Sequence, residues 1–329
     1  MPRLSRQLTR ADRLGAWQMR WGFGRDDYRV RPGLYALGDP GAKSPVLVTA
    51  NYKLTVDGLR SVLSGVDAWV LVVDTRGINV WCAAGKGTIS AEEVARVVDD
   101  SRLAEVVEHR RLVLPQLAGP GVAAHRVKEL CGFRVTWGPV RASDIPRFLE
   151  SGMKADAEMR AVTFDFDERL VLAPAELNYL WDRRLLLAYA GVIAASSIDR
   201  DGVSLTRGLR RGLPVIGAAG LAVLAGGGIT PVLLPWLPGR AFSLKGATAG
   251  AGVALAADAV LRGRLTPAAR VTLLAGVPAL ASYAAMNFTG SSTITSPSGV
   301  QKEMRTALPL QMAGAAVAVG GWLVSRLGR

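Results

Sequence analysis

The sequence predicts an α/β head with a largely parallel sheet, followed by an all-α transmembrane domain. Three observations predict it. Strand-like and helix-like stretches alternate as far as about Leu172. Beyond Leu185 come long apolar runs, poor in charge and separated by short basic or polar links. Half of the 329 residues are hydrophobic, and the mean hydropathy is +0.23, which is unusual for a wholly soluble chain. A soluble domain over residues 1–172 and a membrane domain over residues 173–329 follow from that contrast.

In the head, Pro45-Val46-Leu47-Val48-Thr49-Ala50 is a short apolar run fit for a buried parallel strand. Leu54, Leu59, Val62 and Leu63 then recur at helical spacing. A second strand, Ala68 to Asp74, is ended by Thr75-Arg76-Gly77. Ser90-Ala91-Glu92-Glu93 has the capping-box pattern, with Val94, Val97 and Val98 continuing a helix. Arg111–Leu114 and Phe133–Trp137 are further strands, with a helix near Gly121–Leu130 between them and another beginning at Ser143-Asp144-Ile145-Pro146. Such alternation builds a layered α/β domain. Its ligands are expected beyond the carboxyl ends of the strands, where the loops after Ala50 and Asp74 lie.

The second half offers spans at about Leu213–Leu234, Ala241–Leu261, Ala268–Phe288 and Ala307–Leu327, each near the ~20 residues that a bilayer core requires. A fifth candidate, Leu185–Ile198, is short and reaches span length only by including Asp182, Arg183 and Arg184. Internal Gly226-Gly227-Gly228, Pro231 and Pro278 are tolerated in membrane helices. With five spans the basic links Arg200–Arg211 and Arg262–Arg270 fall outside, and the positive-inside rule prefers four; the likeness to a known family described below implies about five, of which Leu185–Ile198 is the least certain. The net charge of +13 fits a chain that concentrates arginine beside apolar runs, and no recognition motif points to nucleic acid. The start, Met1-Pro2-Arg3-Leu4-Ser5-Arg6, lacks the apolar core of a signal peptide. The expectation is a multi-pass protein of the inner (cytoplasmic) membrane with its head in the cytoplasm.

The most unusual segment is Asn79-Val80-Trp81-Cys82-Ala83-Ala84-Gly85-Lys86, directly after a strand and its turn. A cysteine among small residues near a helix start favours the thiolate and leaves room for something large to approach. On spacing alone, a buried cysteine in a strand-to-helix turn remains the alternative. The only other cysteine, Cys131, lies in Leu130-Cys131-Gly132-Phe133 and reads as packing. His109 and His125 fit no Asp-x-His-x-x-Gly motif and read as surface residues. There is no Walker-type phosphate loop, no His-Glu-x-x-His and no Gly-x-Ser-x-Gly. Asp258 and Asn287 lie near the ends of expected spans and read as structural or interfacial.

Asn79 to Lys86 resembles, residue for residue, the cap-helix motif of the mercury-methylating corrinoid protein (HgcA) family. The likeness continues at Trp21-Gly22-Phe23-Gly24-Arg25, Pro32 to Gly38, Val48-Thr49-Ala50-Asn51-Tyr52-Lys53, Trp137 to Pro146 and Glu168 to Leu172, and in the membrane half at Met286 to Ser292 and Ser298 to Met304. The head alone is also similar to the corrinoid iron–sulfur protein of the acetyl-CoA pathway, which lacks the membrane half and the axial cysteine. The resemblance implies a cobalamin-type corrinoid on a Rossmann-like head, with Cys82 as lower axial ligand to cobalt. It implies a corrinoid-dependent methyltransferase that moves methyl from methyl-Co(III) to Hg(II). A thiolate trans to the methyl group donates electrons, weakens the Co–C bond and makes reduction to Co(I) harder.

A low-potential reductant is then required, and two cysteines in the whole chain cannot hold an iron–sulfur cluster. The implied partners are a ferredoxin-like protein with two [4Fe–4S] clusters, supplying electrons and Hg(II), and a folate-type methyl donor acting through a methyltransferase. The alternative acceptor is another molecule of one-carbon metabolism. In this reading Thr49 and Asn51 form the pocket rim, Asn79 and Trp81 fix the cap helix, Val80 is a further cofactor-binding residue, Ala83, Ala84 and Gly85 leave space for the corrin plane, and Lys86 pairs with a corrin side chain or phosphate. A transporter or receptor whose cysteine is structural is the reading of another class.

Overall fold

The computed structural model describes residues 1–24, 27–199 and 202–327. Arg25 of the first motif and Arg200 of the first basic link lie outside them. The described residues form two compact units, one of Met1–Met19 with Phe23–Val162, the other of Arg20–Gly22 with Thr163 onward.

The first unit is a six-stranded mixed sheet. Its strands are β1 (Arg3–Leu4), β2 (Gly33–Leu37), β3 (Val46–Ala50), β4 (Ala68–Val73), β5 (Arg111–Leu114) and β6 (Arg134–Trp137), in the order β1-β2-β4-β3-β5-β6. The four strands expected from the sequence are the four parallel ones, with Val48 opposite Leu71 and Leu47 opposite Val113. β2 runs antiparallel to β4, and β1 lies parallel to β2 beyond it. No strand was anticipated at β1 or β2.

The parallel strands are continuous apolar runs because both faces are covered. Val46, Val48 and Ala50 of β3 and Leu71 and Val73 of β4 point into one core, closed by Val94, Val97 and Val98 of the helix Ala91–Asp100 and by Val127 of Ala124–Cys131. Leu47, Val70, Val72 and Val113 point into the other, closed by Val56 and Leu59 of Lys53–Val62 and by Ile145 and Phe148 of Ile145–Glu150. The chain leaves β3 toward β4, then returns past β3 to reach β5. Strand order therefore reverses between β3 and β5, which is where a crevice opens beyond the carboxyl ends in a sheet of this kind.

The second unit is helical. Among the described residues, three helices are long and apolar enough to cross a membrane: Leu205–Val232, Pro267–Gly290 and Ser298–Ser325. They contain most of three of the expected spans. The expected span Ala241–Leu261 forms a helix of 19 residues, Phe242–Val260, which carries Lys245 and Asp258 and is not among those three. The short candidate becomes Arg183–Ser197, of 15 residues. Backbones approach closely through small residues: a Cβ on Gly226 would stand 2.3 Å from the Ala281 carbonyl oxygen, and one on Gly246 2.4 Å from the Ala285 Cβ. Small residues at helix crossings are how apolar helices gain contact where burial from water drives nothing. Gly226-Gly227-Gly228 lies in a π-helical segment, Leu224–Ile229, inside the first of these helices.

Candidate functional site

The loop after β4 decides where the next helix starts. Arg76 (φ 59°) and Gly77 (φ 77°) are successive left-handed residues, a conformation that costs an arginine about 1 kcal/mol. Asn51, 3% exposed, offsets that cost. Its Oδ1 accepts from the Thr75 N–H at 3.1 Å and the Gly77 N–H at 2.9 Å, and its Nδ2 donates to Asp74 Oδ1 at 2.9 Å. The Thr75 hydroxyl reaches the Ile78 carbonyl oxygen at 2.6 Å. A buried loop needs partners for its amides, and a single asparagine supplies several.

From this loop the helix Val80–Lys86 begins. Asn79, in extended conformation, accepts from the Cys82 N–H at 2.8 Å, an N-cap on the residue of interest itself. The helix ends at Gly87, left-handed at φ 69°, whose N–H returns to the carbonyls of Ala83 and Ala84. Ala83 and Ala84 are buried and Gly85 and Lys86 exposed; Cys82 is a free thiol of intermediate exposure.

The two alanines have a structural use that sequence reasoning missed. They face inward, and a Cβ on Gly121 would stand 2.8 Å from the Ala84 Cα and 2.8 Å from the Ile89 carbonyl oxygen. The missing side chain of Gly121 lets the helix sit directly on that segment.

Beyond the reversal point lies a cleft of ≈ 290 Å³. Its floor is apolar, from Leu47 and Val113 of the strands and Leu59 and Ile145 of the flanking helices. Its polar groups are Thr49, Thr55 and Asn79, and Val80 and Trp81 complete the side made by the cap helix. The structure thus brings Thr49, Asn79, Val80 and Trp81 together. Cys82, Ala83, Ala84, Gly85 and Lys86 belong to the same helix but not to this lining. Asn51, anticipated at the rim, is engaged in the Asp74–Gly77 loop instead.

Two contributors escaped the sequence reading. Thr55 sits on the first turn of Lys53–Val62, masked by an otherwise ordinary amphipathic pattern. Arg160 donates to Gln116 Oε1 at 2.7 Å, to the Gly138 carbonyl oxygen at 3.2 Å and to that of Trp137 at 3.2 Å, tying the segment after β5 to the end of β6. No local motif announces so distant a clamp.

The other singled-out residues have structural settings. Cys131 packs against the first core, donates to the Val127 carbonyl oxygen, and has its thiol pushed up by burial. His125 is exposed. His109, expected at the surface, is half-buried, with Nε2 2.9 Å from the Ser44 carbonyl oxygen and Nδ1 3.3 Å from the Arg111 N; with Nε2 protonated, both ring nitrogens are satisfied. Asp258 pairs through both oxygens with Arg270, at 2.7 and 2.6 Å.

Among the described residues no group of three or more His, Cys, Asp or Glu is placed to hold a metal ion. The Cys82 thiol sits on the capped helix beside the cleft and does not line it.

Known proteins share this region. Residues 23–149 match the family model described as CO dehydrogenase/acetyl-CoA synthase delta subunit. The chain is similar to the acetyl-CoA decarbonylase/synthase complex subunit gamma of Methanopyrus kandleri, 38% identical over 128 residues, which cover 38% of this chain and 27% of that protein. It is likewise similar to the subunit gamma of Archaeoglobus fulgidus, 34% identical over 128 residues with the same two shares. That of Methanocaldococcus jannaschii is 30% identical over 129 residues, 39% of this chain and 26% of that protein. The chain spans about a quarter of the length of these curated relatives, and the stretch it shares with the family model holds β2 to β6, the cleft and the helix Val80–Lys86.

Proposed function

We propose that this protein is a membrane-associated corrinoid methyl carrier whose head would hold the cofactor at the cleft and whose Cys82 thiolate would ligate its cobalt. The observation that carries the proposal is the cap helix Val80–Lys86, set beside a cleft at the strand-order reversal, inside the stretch that matches the acetyl-CoA synthase delta-subunit model. When bound, a corrinoid supplies methyl-group carriage, taking the group from a donor and yielding it to an acceptor. The chain's own residues do the rest. Asn79 fixes the first turn and with it the backbone of Cys82. Asn51 fixes the loop from which that turn starts. Thr49, Thr55 and Asn79 offer hydrogen bonds to polar substituents, and Leu47, Leu59, Val113 and Ile145 exclude water beneath them. Lys86, exposed in the last turn, is available to a phosphate or carboxamide. Electrons must come from a partner, since two separated cysteines build no iron–sulfur cluster. A ferredoxin-like protein with two [4Fe–4S] clusters fits that need, and a folate-type donor fits the methyl supply.

A second reading, favoured by the Asn79–Lys86 motif and the membrane-half motifs, makes Hg(II) the acceptor and methylmercury the product. Soft metals select thiolates; with Cys82 on cobalt, delivery of Hg(II) falls to cysteines of the partner. Both readings are tested with the full chain purified anaerobically from a corrinoid-replete host. Cobalt and corrinoid should be retained in equal amount, near one per chain. A chain that retains none contradicts the carrier proposal. Transfer of labelled methyl to added Hg(II) in the presence of the reductant partner supports the second reading; transfer to another acceptor without methylmercury removes it.

A further inference from the structure

The helical unit carries a cavity of its own, ≈ 860 Å³, made where several of its helices begin or end. Its lining comes from Leu234 to Lys245, which spans the link into the helix Phe242–Val260, and from Ile294 to Thr306, which enters the helix Pro297–Leu327, with Phe164 and Arg169 beside them. The charge in it is one-sided. Arg169, Arg240, Lys245 and Lys302 face a single carboxylate, Glu303. That carboxylate is already engaged, accepting from the Ser243 N–H at 2.5 Å at the start of Phe242–Val260.

Two of the four cations are buried. Lys245, 8% exposed, donates to the carbonyl oxygens of Leu234 (2.7 Å) and Leu237 (2.6 Å), which leaves one of its three N–H donors. Arg169, 6% exposed, donates from Nη1 to the Phe164 carbonyl oxygen, and its Nε is buried with no acceptor. Arg240 and Lys302 are exposed and pair with no carboxylate among the described residues. Buried cations without counter-charge are costly unless something else neutralises them. Around them the walls are apolar, from Phe164, Leu234, Phe242, Ile294 and Val300.

We propose that this cavity binds the phosphate headgroup of an anionic phospholipid. A phosphate brings negative charge and several acceptor oxygens to donors that lack them, and acyl chains suit the apolar walls. Basic pockets at helix ends are where anionic headgroups are met in a bilayer. The inference rests on the reading that the apolar helices lie in a membrane, and it names a ligand which that reading alone does not.

The test uses the full chain in nanodiscs of phosphatidylcholine, with and without phosphatidylglycerol. It compares wild type, Arg240→Gln with Lys302→Gln, and a control pair outside the cavity, Arg183→Gln with Arg184→Gln. Melting temperature and lipid retention by native mass spectrometry are the readouts. Phosphatidylglycerol should stabilise wild type and the control pair, and the cavity pair should retain it roughly thirtyfold more weakly, at the scale of one basic side chain each. Equal retention by the cavity pair, or an equal loss in the control pair, overturns the site. Stabilisation by inorganic phosphate alone that matches the lipid overturns the lipid assignment. Alkaline carbonate extraction separates the two levels: a chain released from membranes sinks the membrane reading and the site with it, whereas one that stays but shows no lipid preference sinks the site only.

Discussion

Asn79 and Gly121 hold the cap helix from two sides, one by a hydrogen bond to the Cys82 N–H and the other by leaving room for Ala84. Asn79→Ala should cost about 1 kcal/mol, the usual value of a lost N-cap, read as a lower urea midpoint with an unchanged slope. Gly121→Ala should cost more, about 1–3 kcal/mol, because its new Cβ meets backbone that cannot yield; a stability equal to wild type would mean the helix does not sit where it is described. Asn79 was named through the motif it belongs to, as a residue that fixes the helix, and its N-cap bond to Cys82 is seen only in the folded chain. Ala83 and Ala84 were legible as small, but the sequence does not say what they make room for. Asn51 was misplaced at the cleft rim for a related reason. It follows the strand that ends at Ala50, but its amide is taken up by a loop more than twenty residues later, which no local pattern reveals.

At the scale of elements, the four parallel strands were readable because runs such as Ala68–Val73 are buried on both faces and stay apolar throughout. β2 was not, since Gly33–Leu37 is short, begins with glycine and carries no alternation. The capping box at Ser90 is used in part: Ser90 Oγ accepts from the Glu93 N–H at 3.2 Å, while the Glu93 carboxylate accepts from the Asp74 N–H at 3.0 Å and so also braces the loop before the cap helix. The helix Arg10–Arg20 was not anticipated, and it is bound to Lys53–Val62 by a network of four charges. Lys53 reaches Asp12 and Asp57, and Arg60 reaches the same two carboxylates at 2.7 and 2.8 Å. The Lys53 ammonium, helped by Thr9 and Arg60 against the opposing effect of burial, holds the Asp12 carboxyl well below the usual carboxylate range. A depressed native pKa contributes stability that is complete above the unfolded value near pH 4 and is lost as pH falls below it. Wild type should therefore lose stability on going from about pH 4 toward pH 2. Asp12→Asn should be weaker at neutral pH by on the order of 3 kcal/mol and should lose less across the acid window. Parallel acid limbs for the two proteins would contradict this.

For the whole molecule, charge and apolar length change together near residue 172, whereas the helical unit takes in the chain from Thr163, with Arg20–Gly22. The count of spans was less visible. Lys245 and Asp258 are the two charged positions in a mostly apolar run, and only the folded chain shows that Lys245 donates to two carbonyl oxygens and that Asp258 pairs with Arg270. Close packing at Gly246 against Ala285 also needs the partner helix to be known. Gly246→Leu should disrupt the helical unit, with a drop in detergent-solubilised melting temperature, while corrinoid retention by the head persists; loss of both would mean that the two units do not fold independently. The account turns on Cys82. Its most direct test is the absorption spectrum of the corrinoid-loaded full chain, recorded for wild type and for Cys82→Ala. Both proteins should retain the corrinoid, and their spectra should differ because a sulfur ligand is present in one and absent from the other. Coincident spectra at equal corrinoid content would contradict the assignment of Cys82 to cobalt.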